Sequence, residues 1–403
     1  MDVIVYRYES EFRGAPMFRY SISCLYVFAL LVSVPSAFGC TTFCLKNNGE
    51  VLFGKNYDWS IGDGMIFVNK RGMSKISGLE DEKNVAKWVS KYGSITFNQY
   101  GWEAPSGGMN EMGVAIELMW LDDTKYPKPD DRPAIDVLEW IQYQLDTSAS
   151  TAEVIRNAEL VRIVSEVNLH YMVNDRNGNA ATIEFLDGKL ATHTGMELPV
   201  ATLTNDTYAR SMRYAATNDP LTTRSANSLD RFVRASARTK QFSSRVLSEQ
   251  EAVDYAFDTL ANAAQPGYTQ WSIVYDQRRL KVHFRTKDQL AIKTVDAHFF
   301  DYGCVAPVLT LDLNTTETGD VSPLFRPYAR TANRNLIERS FGGTEFLAKV
   351  PAGVKDRYAE FPERFTCSSV VPLRDKMQTR AENAAFDWRD PFAYIFKYLA
   401  TSR

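Results

Sequence analysis

The chain has 403 residues, 45% hydrophobic and 24% charged, with a formal net charge of −3 at pH 7. That apolar share is enough to bury one large core. With 46 basic residues against 49 acidic ones, no broad positive field exists to hold a phosphate backbone, so a duplex-binding function is excluded and no nucleic-acid partner is expected. Five cysteines are too few for a disulfide scaffold in a chain this long. No C-x-x-C pair occurs, so no zinc site, and no other metal or cofactor, is expected.

Residues 1–39 read as a signal peptide. Ile22 to Val34 is a nearly unbroken apolar run behind Arg19, followed by Pro35, Ser36 and the small-x-small ending Ala37-Phe38-Gly39. The run suits a leader core and is short for a membrane span, which needs about 20 apolar residues. Asp2, Glu9 and Glu11 make the first residues unlike a basic leader start, so Met17 is the better initiation site. Cleavage after Gly39 leaves residues 40–403 as one exported domain, periplasmic or secreted and without a stable membrane span. It also makes Cys40 the first residue. A lipoprotein or binding module acylated at Cys40 is the competing reading, although Ala37 stands where a lipobox carries a large aliphatic residue.

The mature chain opens with two strand-like runs around Asn47-Asn48-Gly49, a hairpin signal. Residues 65–72 and 94–101 continue the strand pattern, and the apolar run 113–121 after a Gly-rich turn suits a strand covered on both faces. Helical spacing is expected over 134–145, behind Pro133, and over 152–164, behind a cap-like Ser150-Thr151-x-Glu153. Strands return at 169–175, 180–188 and 189–195. Residues 209–230 read as a loop, 249–264 as a helix and 270–286 as a hairpin. Residues 305–403 are poorly legible. The alternation indicates an α+β layered protein with one core.

An N-terminal cysteine brings its own base. The α-amine titrates near 8 and the thiol near 8.5, so either is readily deprotonated, and the amine can carry the proton to a leaving nitrogen. Alone, Cys40 is equally a small apolar residue beginning a strand. Lys55 and Asp58, in GKNYDW on the next strand, place a cation and a carboxylate opposite it. Further on, LTN (203–205) and SLDRFVRAS (228–236) supply an amide and two arginines, suited to a developing oxyanion or a charged intermediate. The four histidines lie in strand-like or featureless stretches.

These motifs resemble the choloylglycine hydrolase and penicillin V acylase family. They are C-T at a processed N-terminus, G-K-N-Y-D-W, G-G-M-N-E-M-G-V-A, L-T-N and S-L-D-R-F-V-R, in family order between Cys40 and Thr286. Members are N-terminal-nucleophile hydrolases of linear amide C–N bonds, and an exported chain resembles the Gram-negative branch. The resemblance implies a four-layer αββα sandwich. It implies that Cys40 attacks the amide carbonyl with its own amine as acid and base, that Asp58 orients both, that Asn205 donates to the oxyanion, and that Arg231 sits beside the sulfur. Arg234 is structural on that reading. Lys55 stands where the family has arginine, keeping the charge but losing the planar fork. Met119 stands where many bile salt hydrolases carry asparagine, which favours a small-molecule N-acyl amide such as penicillin V or an N-acyl homoserine lactone over a conjugated bile salt. Trp59 and Trp120 either line the acyl pocket or pack in the core. Homotetramers are common in that family. Cys44 shares a strand face with Cys40, either as a second nucleophile or a buried thiol, and Cys304 and Cys367 are available to pair in an oxidising compartment.

Overall fold

The computed structural model describes residues 39–47, 49–79 and 82–368. Of the expected leader, residues 1–39, all but Gly39 lies outside the described residues. The first hairpin forms where Asn47-Asn48-Gly49 predicts it, joining Thr41–Lys46 to Val51–Asp58. Alternation along the first strand divides its side chains between two environments. Phe43 and Leu45 pack with Ala235, Phe242 and Ala256 of a helical layer, while Cys40 and Cys44 join a core shared with the opposing sheet.

That hairpin lies within a seven-stranded sheet, in the order Thr202–Leu203, Thr41–Lys46, Val51–Asp58, Thr269–Asp276, Lys281–Thr286, Lys293–Asp296 and Gly319–Asp320. Helices Ser228–Phe242 and Glu249–Asn262 cover its outer face. A nine-stranded sheet lies opposite, its central strands being Leu169–Asn174, Ala115–Trp120, Gly107–Asn110 and Ser94–Asn98. Helices Glu139–Thr147 and Thr151–Ala158 pack against that sheet. The result is the expected four-layer αββα sandwich. Trp140, fully buried, stacks on Tyr171 at 4.3 Å between ring centroids, and burying a side chain of that size contributes about 2–3 kcal/mol.

The structure corrects three expectations. Residues Ala134–Asp136 form a strand paired in parallel with Arg162–Val164, so the first helix begins only at Glu139 and the second ends at Ala158. Asp136 fixes that boundary, its carboxylate accepting from the Leu138 N–H at 2.8 Å. Within the expected loop 209–230 lies a helix, Tyr208–Ala215, whose cap Thr207 accepts from the Arg210 N–H. The C-terminal region builds two more helices, Arg330–Gly342 and Ala352–Glu360, packed on each other.

Cys304 and Cys367 are disulfide-bonded across a sequence separation of 63, and Thr366–Cys367 pairs with the strand Met73–Ile76. The bond therefore closes a loop that contains both C-terminal helices. Restricting an unfolded loop of that length stabilises the fold by about 4 kcal/mol. The double substitution Cys304→Ser and Cys367→Ser is expected to lower the melting temperature by several degrees; an unchanged melting curve would remove this bond from the account.

Candidate active site

Cys40 stands at the start of the first hairpin, 5% exposed, and lines a cavity of about 110 Å³. Burial pushes its thiol up from the ordinary value, while the Lys55 ammonium is the strongest influence pulling it back. The main-chain N–H of Asp58 hydrogen-bonds the sulfur and acts in the same downward direction. A thiol so placed needs a proton acceptor close by, and His170 and His283 are engaged elsewhere, with Thr204 and Thr294.

Asp58 ends the second strand with its carboxylate fully buried. Its Oδ1 accepts from the Thr269 hydroxyl at 2.5 Å, whereas Oδ2 has no hydrogen-bond partner among the described residues and lies 3.9 Å from Arg231. Burial raises its carboxyl to about 6, against the opposing pull of Arg231, Thr269 and Lys55. A buried carboxylate oxygen without a partner is costly. It is also an acceptor held ready for a donor.

Arg231, on the helix Ser228–Phe242, is fully buried and gathers the remaining parts. Nη1 donates to the Cys40 carbonyl at 2.6 Å and to the Thr41 hydroxyl at 2.7 Å, and Nη2 donates to Asn205 Oδ1 at 2.8 Å. The guanidinium thus grips the Cys40 main chain, and its charge is the weakest of the influences on the thiol. With Oδ1 committed to Arg231, the Asn205 amide nitrogen is turned the other way and donates to the Trp120 carbonyl at 2.9 Å. Arg234 binds the carbonyls of Asn262, Thr223 and Ser225, which ties loops together.

Gly39 is enclosed by this bracket. A Cβ built on it would lie 2.1 Å from Arg231 Nη2 and 2.8 Å from Asn205 Oδ1. No side chain fits there without displacing one of them.

Lys55 is fully buried between the sheets. Its ammonium donates to the Leu118 carbonyl, lies 3.5 Å from Glu117 Oε2, and sits 5.9 Å above the centre of the Tyr57 ring. Glu117 also accepts from the Tyr275 hydroxyl at 2.5 Å, and burial raises its carboxyl to about 7. The close approach explains Gly107, where a Cβ would fall 2.2 Å from the Glu117 carboxyl carbon. A lysine point charge satisfies these partners without the fork an arginine would offer.

Trp59 and Trp120 both line the cavity, with Tyr57, Tyr100, Leu118 and Leu169. Met119 does not. Strand alternation gives residues 119 and 120 opposite faces, and the Met119 sulfur points between the sheets, where the Thr42 hydroxyl donates to it at 3.4 Å. Sequence reasoning missed the other wall, formed by Phe341, Phe346, Leu347 and Tyr358 of the C-terminal segment. Phe346 meets Trp59 edge-on at 6.5 Å, and the Thr344 hydroxyl pairs with that of Tyr100 at 3.0 Å. Thr269 was also missed, since a lone threonine at a strand start carries no signal. Cys44 is a buried thiol held by the Asn174 amide at 2.7 Å and raised to about 12 by burial, so it is inert at neutral pH.

A family model of linear amide C–N hydrolases, the choloylglycine hydrolase family, matches residues 40–219. The penicillin V acylase of Pectobacterium atrosepticum is 26% identical over 363 residues, covering 76% of this chain and 95% of that protein. The solved penicillin V acylase from Agrobacterium tumefaciens aligns at a TM-score of 0.65 and 26% identity, over 72% of this chain and 98% of the other. A conjugated bile acid hydrolase variant from Clostridium perfringens shares the fold at a TM-score of 0.58 and 18% identity, over 69% and 98% of the two chains. With a cysteine, a carboxylate, an amide and a guanidinium assembled at one end of an αββα sandwich, the chain is similar to amidohydrolases acting on linear amide C–N bonds, the choloylglycine hydrolase family.

Proposed function

We propose that the protein is exported, loses its leader after Gly39, and hydrolyses N-acyl amides whose acyl group is bulky and apolar, of the penicillin V or N-acyl homoserine lactone type. The observation that carries this reading is the unpartnered, buried Asp58 Oδ2 in the same cavity as Cys40. A free Cys40 amine supplies the donor that this oxygen lacks. While Gly39 remains attached, its own backbone occupies the bracket of Arg231 and Asn205 in which a substrate amide has to dock.

The chemistry follows from those positions. The Cys40 amine takes the thiol proton as the sulfur bonds to the substrate carbonyl carbon. Charge develops on the carbonyl oxygen, and the Asn205 amide, already oriented through Oδ1, donates to it in place of the Trp120 carbonyl. The C–N bond breaks as the ammonium returns the proton to the leaving nitrogen, giving a thioester and a free amine. Water then attacks the thioester with the amine as base, releasing the carboxylic acid and restoring the thiol. Lys55 lowers the cost of the thiolate from behind. The aromatic walls take the acyl group, Trp59 and Trp120 from the sandwich and Phe346 from the C-terminal segment.

Replacing Cys40 with alanine is expected to reduce kcat/KM by about 10³-fold or more, and a chain that retains Gly39 should lose about 10²-fold or more because its amine is an amide. Full activity in either protein would overturn the reading. Tested side by side, penicillin V and a long-chain N-acyl homoserine lactone should be turned over faster than glycine- or taurine-conjugated bile acids. The reverse order would reassign the substrate.

Asp58 sets a pH dependence. With Gly39 attached its carboxyl titrates near 6, and the positive amine released by cleavage favours the carboxylate further. The acidic limb of kcat/KM is therefore expected at or below pH 6, and Asp58→Asn should abolish it along with most of the rate. Stability runs the other way. A folded value above the unfolded one of about 3.9 means that protonated Asp58 stabilises the fold, a contribution lost as pH rises through 6. An acid limb unchanged in Asp58→Asn would assign it to another group.

Phe346→Ala removes one wall of the acyl cavity while leaving the reacting groups in place. It is expected to raise KM about 10-fold for the largest acyl groups, equivalent to losing about 1.4 kcal/mol of contact, with kcat little altered. Equal effects on short acyl chains such as acetyl would show that the wall does not contact the acyl tail.

A further inference from the structure

Behind Asn205, away from the cavity, lies a buried polar cluster to which the reaction above gives no role. His170 and Glu184 stand on the neighbouring strands Leu169–Asn174 and Ala180–Leu186, both fully buried. His170 Nε2 lies 2.7 Å from the Thr204 carbonyl oxygen. A carbonyl only accepts, so Nε2 carries its hydrogen and donates it. The other ring nitrogen, Nδ1, faces Glu184 Oε1 at 3.5 Å, and the same oxygen accepts from the Tyr208 main-chain N–H at 3.0 Å. The second oxygen, Oε2, lies 3.5 Å from His193, whose ring packs on Tyr208 at 4.8 Å. His170 thus holds the start of the turn 204–208 through the Thr204 carbonyl, and Glu184 holds its finish through the Tyr208 N–H. Asn205 is the second residue of that turn.

We propose that His170 and Glu184 are positioning residues for Asn205, a role that rests on the assignment of Asn205 as oxyanion donor. The cluster fixes the carbonyl before Asn205, and the Ser228 hydroxyl fixes the Asn205 N–H at 2.9 Å. Arg231 then fixes Oδ1, leaving the amide nitrogen a single direction. An interior polar group is costly unless hydrogen-bonded, and a plain apolar pair would fill the space between these strands. The His–Glu pair does what an apolar pair cannot, which is to hold a main-chain oxygen in place by a directed bond. The pair acts on the developing oxyanion and leaves the acyl cavity untouched, so its loss falls on kcat with KM unchanged.

The test uses the mature enzyme and the panel substrate it turns over fastest. His170→Ala is expected to lower kcat about 30- to 100-fold with KM within about threefold, since a shift of about 1 Å in a reacting group costs on that order. His170→Gln places an amide nitrogen where Nε2 stood and should recover most of the rate. Glu184→Gln, nearly isosteric, should lower kcat severalfold at constant KM and serves as the test if His170→Ala does not fold. The decisive comparison is a double-mutant cycle, in which His170→Ala added to Asn205→Ala should cause little further loss. Independent, multiplicative losses would overturn the positioning role, as would no rescue by glutamine. An Asn205→Ala enzyme as fast as the wild type would overturn the oxyanion assignment itself, and this proposal with it.

Discussion

The organisation of the site depends on one buried guanidinium. Arg231 bonds the Cys40 carbonyl, the Thr41 hydroxyl and the Asn205 side chain, and its charge faces Asp58 at 3.9 Å. Removing an arginine from water is unfavourable, and burial lowers its basicity accordingly. The compensation comes from directed bonds to three groups on two separate segments of the chain, Cys40-Thr41 and Asn205. A guanidinium suits this because its donors lie in one plane at fixed angles, so gripping one partner aims the others. The nucleophile, the amide and the carboxylate share a frame because they share Arg231.

Electrostatics around the thiol divide between two sides of the first sheet. Lys55 lies between the sheets with Glu117 and Tyr275, whereas Asp58 and Arg231 face the helical layer. Burial makes both the Cys40 thiol and the Asp58 carboxyl reluctant to ionise. Each is partly offset by a cation, Lys55 for the thiol and Arg231 for the carboxyl. On the proposed reading, cleavage after Gly39 would add a third cation in the centre. On that reading the uncleaved chain lacks the amine that serves as acid and base, and Gly39 fills the docking position.

Much of this was legible in the sequence because it is local. The Asn47-Asn48-Gly49 signal in the sequence marks the hairpin, whose register pairs Thr42 with Lys55 and brings Cys40, Lys55 and Asp58 together. Asn205 and Arg231 lie in recognisable motifs. What remained hidden depends on distant partners. Ala134–Asp136 is a strand only because Arg162–Val164 lies beside it. The far wall of the cavity comes from Phe341, Phe346 and Leu347, which reach it only where the C-terminal segment meets Trp59 and Tyr100. Met119 was placed in the pocket by position along a motif, but alternation on the strand assigns that place to Trp120. His170 and Glu184 meet only because two strands pair, and separately each resembles an isolated buried polar residue.

The most direct measurement of the central claim is intact-protein mass spectrometry of the enzyme quenched during turnover of a slow N-acyl amide. The expected species is a chain beginning at Cys40 that carries one acyl group as a thioester on that residue, and it disappears once substrate is exhausted. A chain that turns over substrate with Gly39 still attached, or that never carries an acyl group on Cys40, would contradict the account.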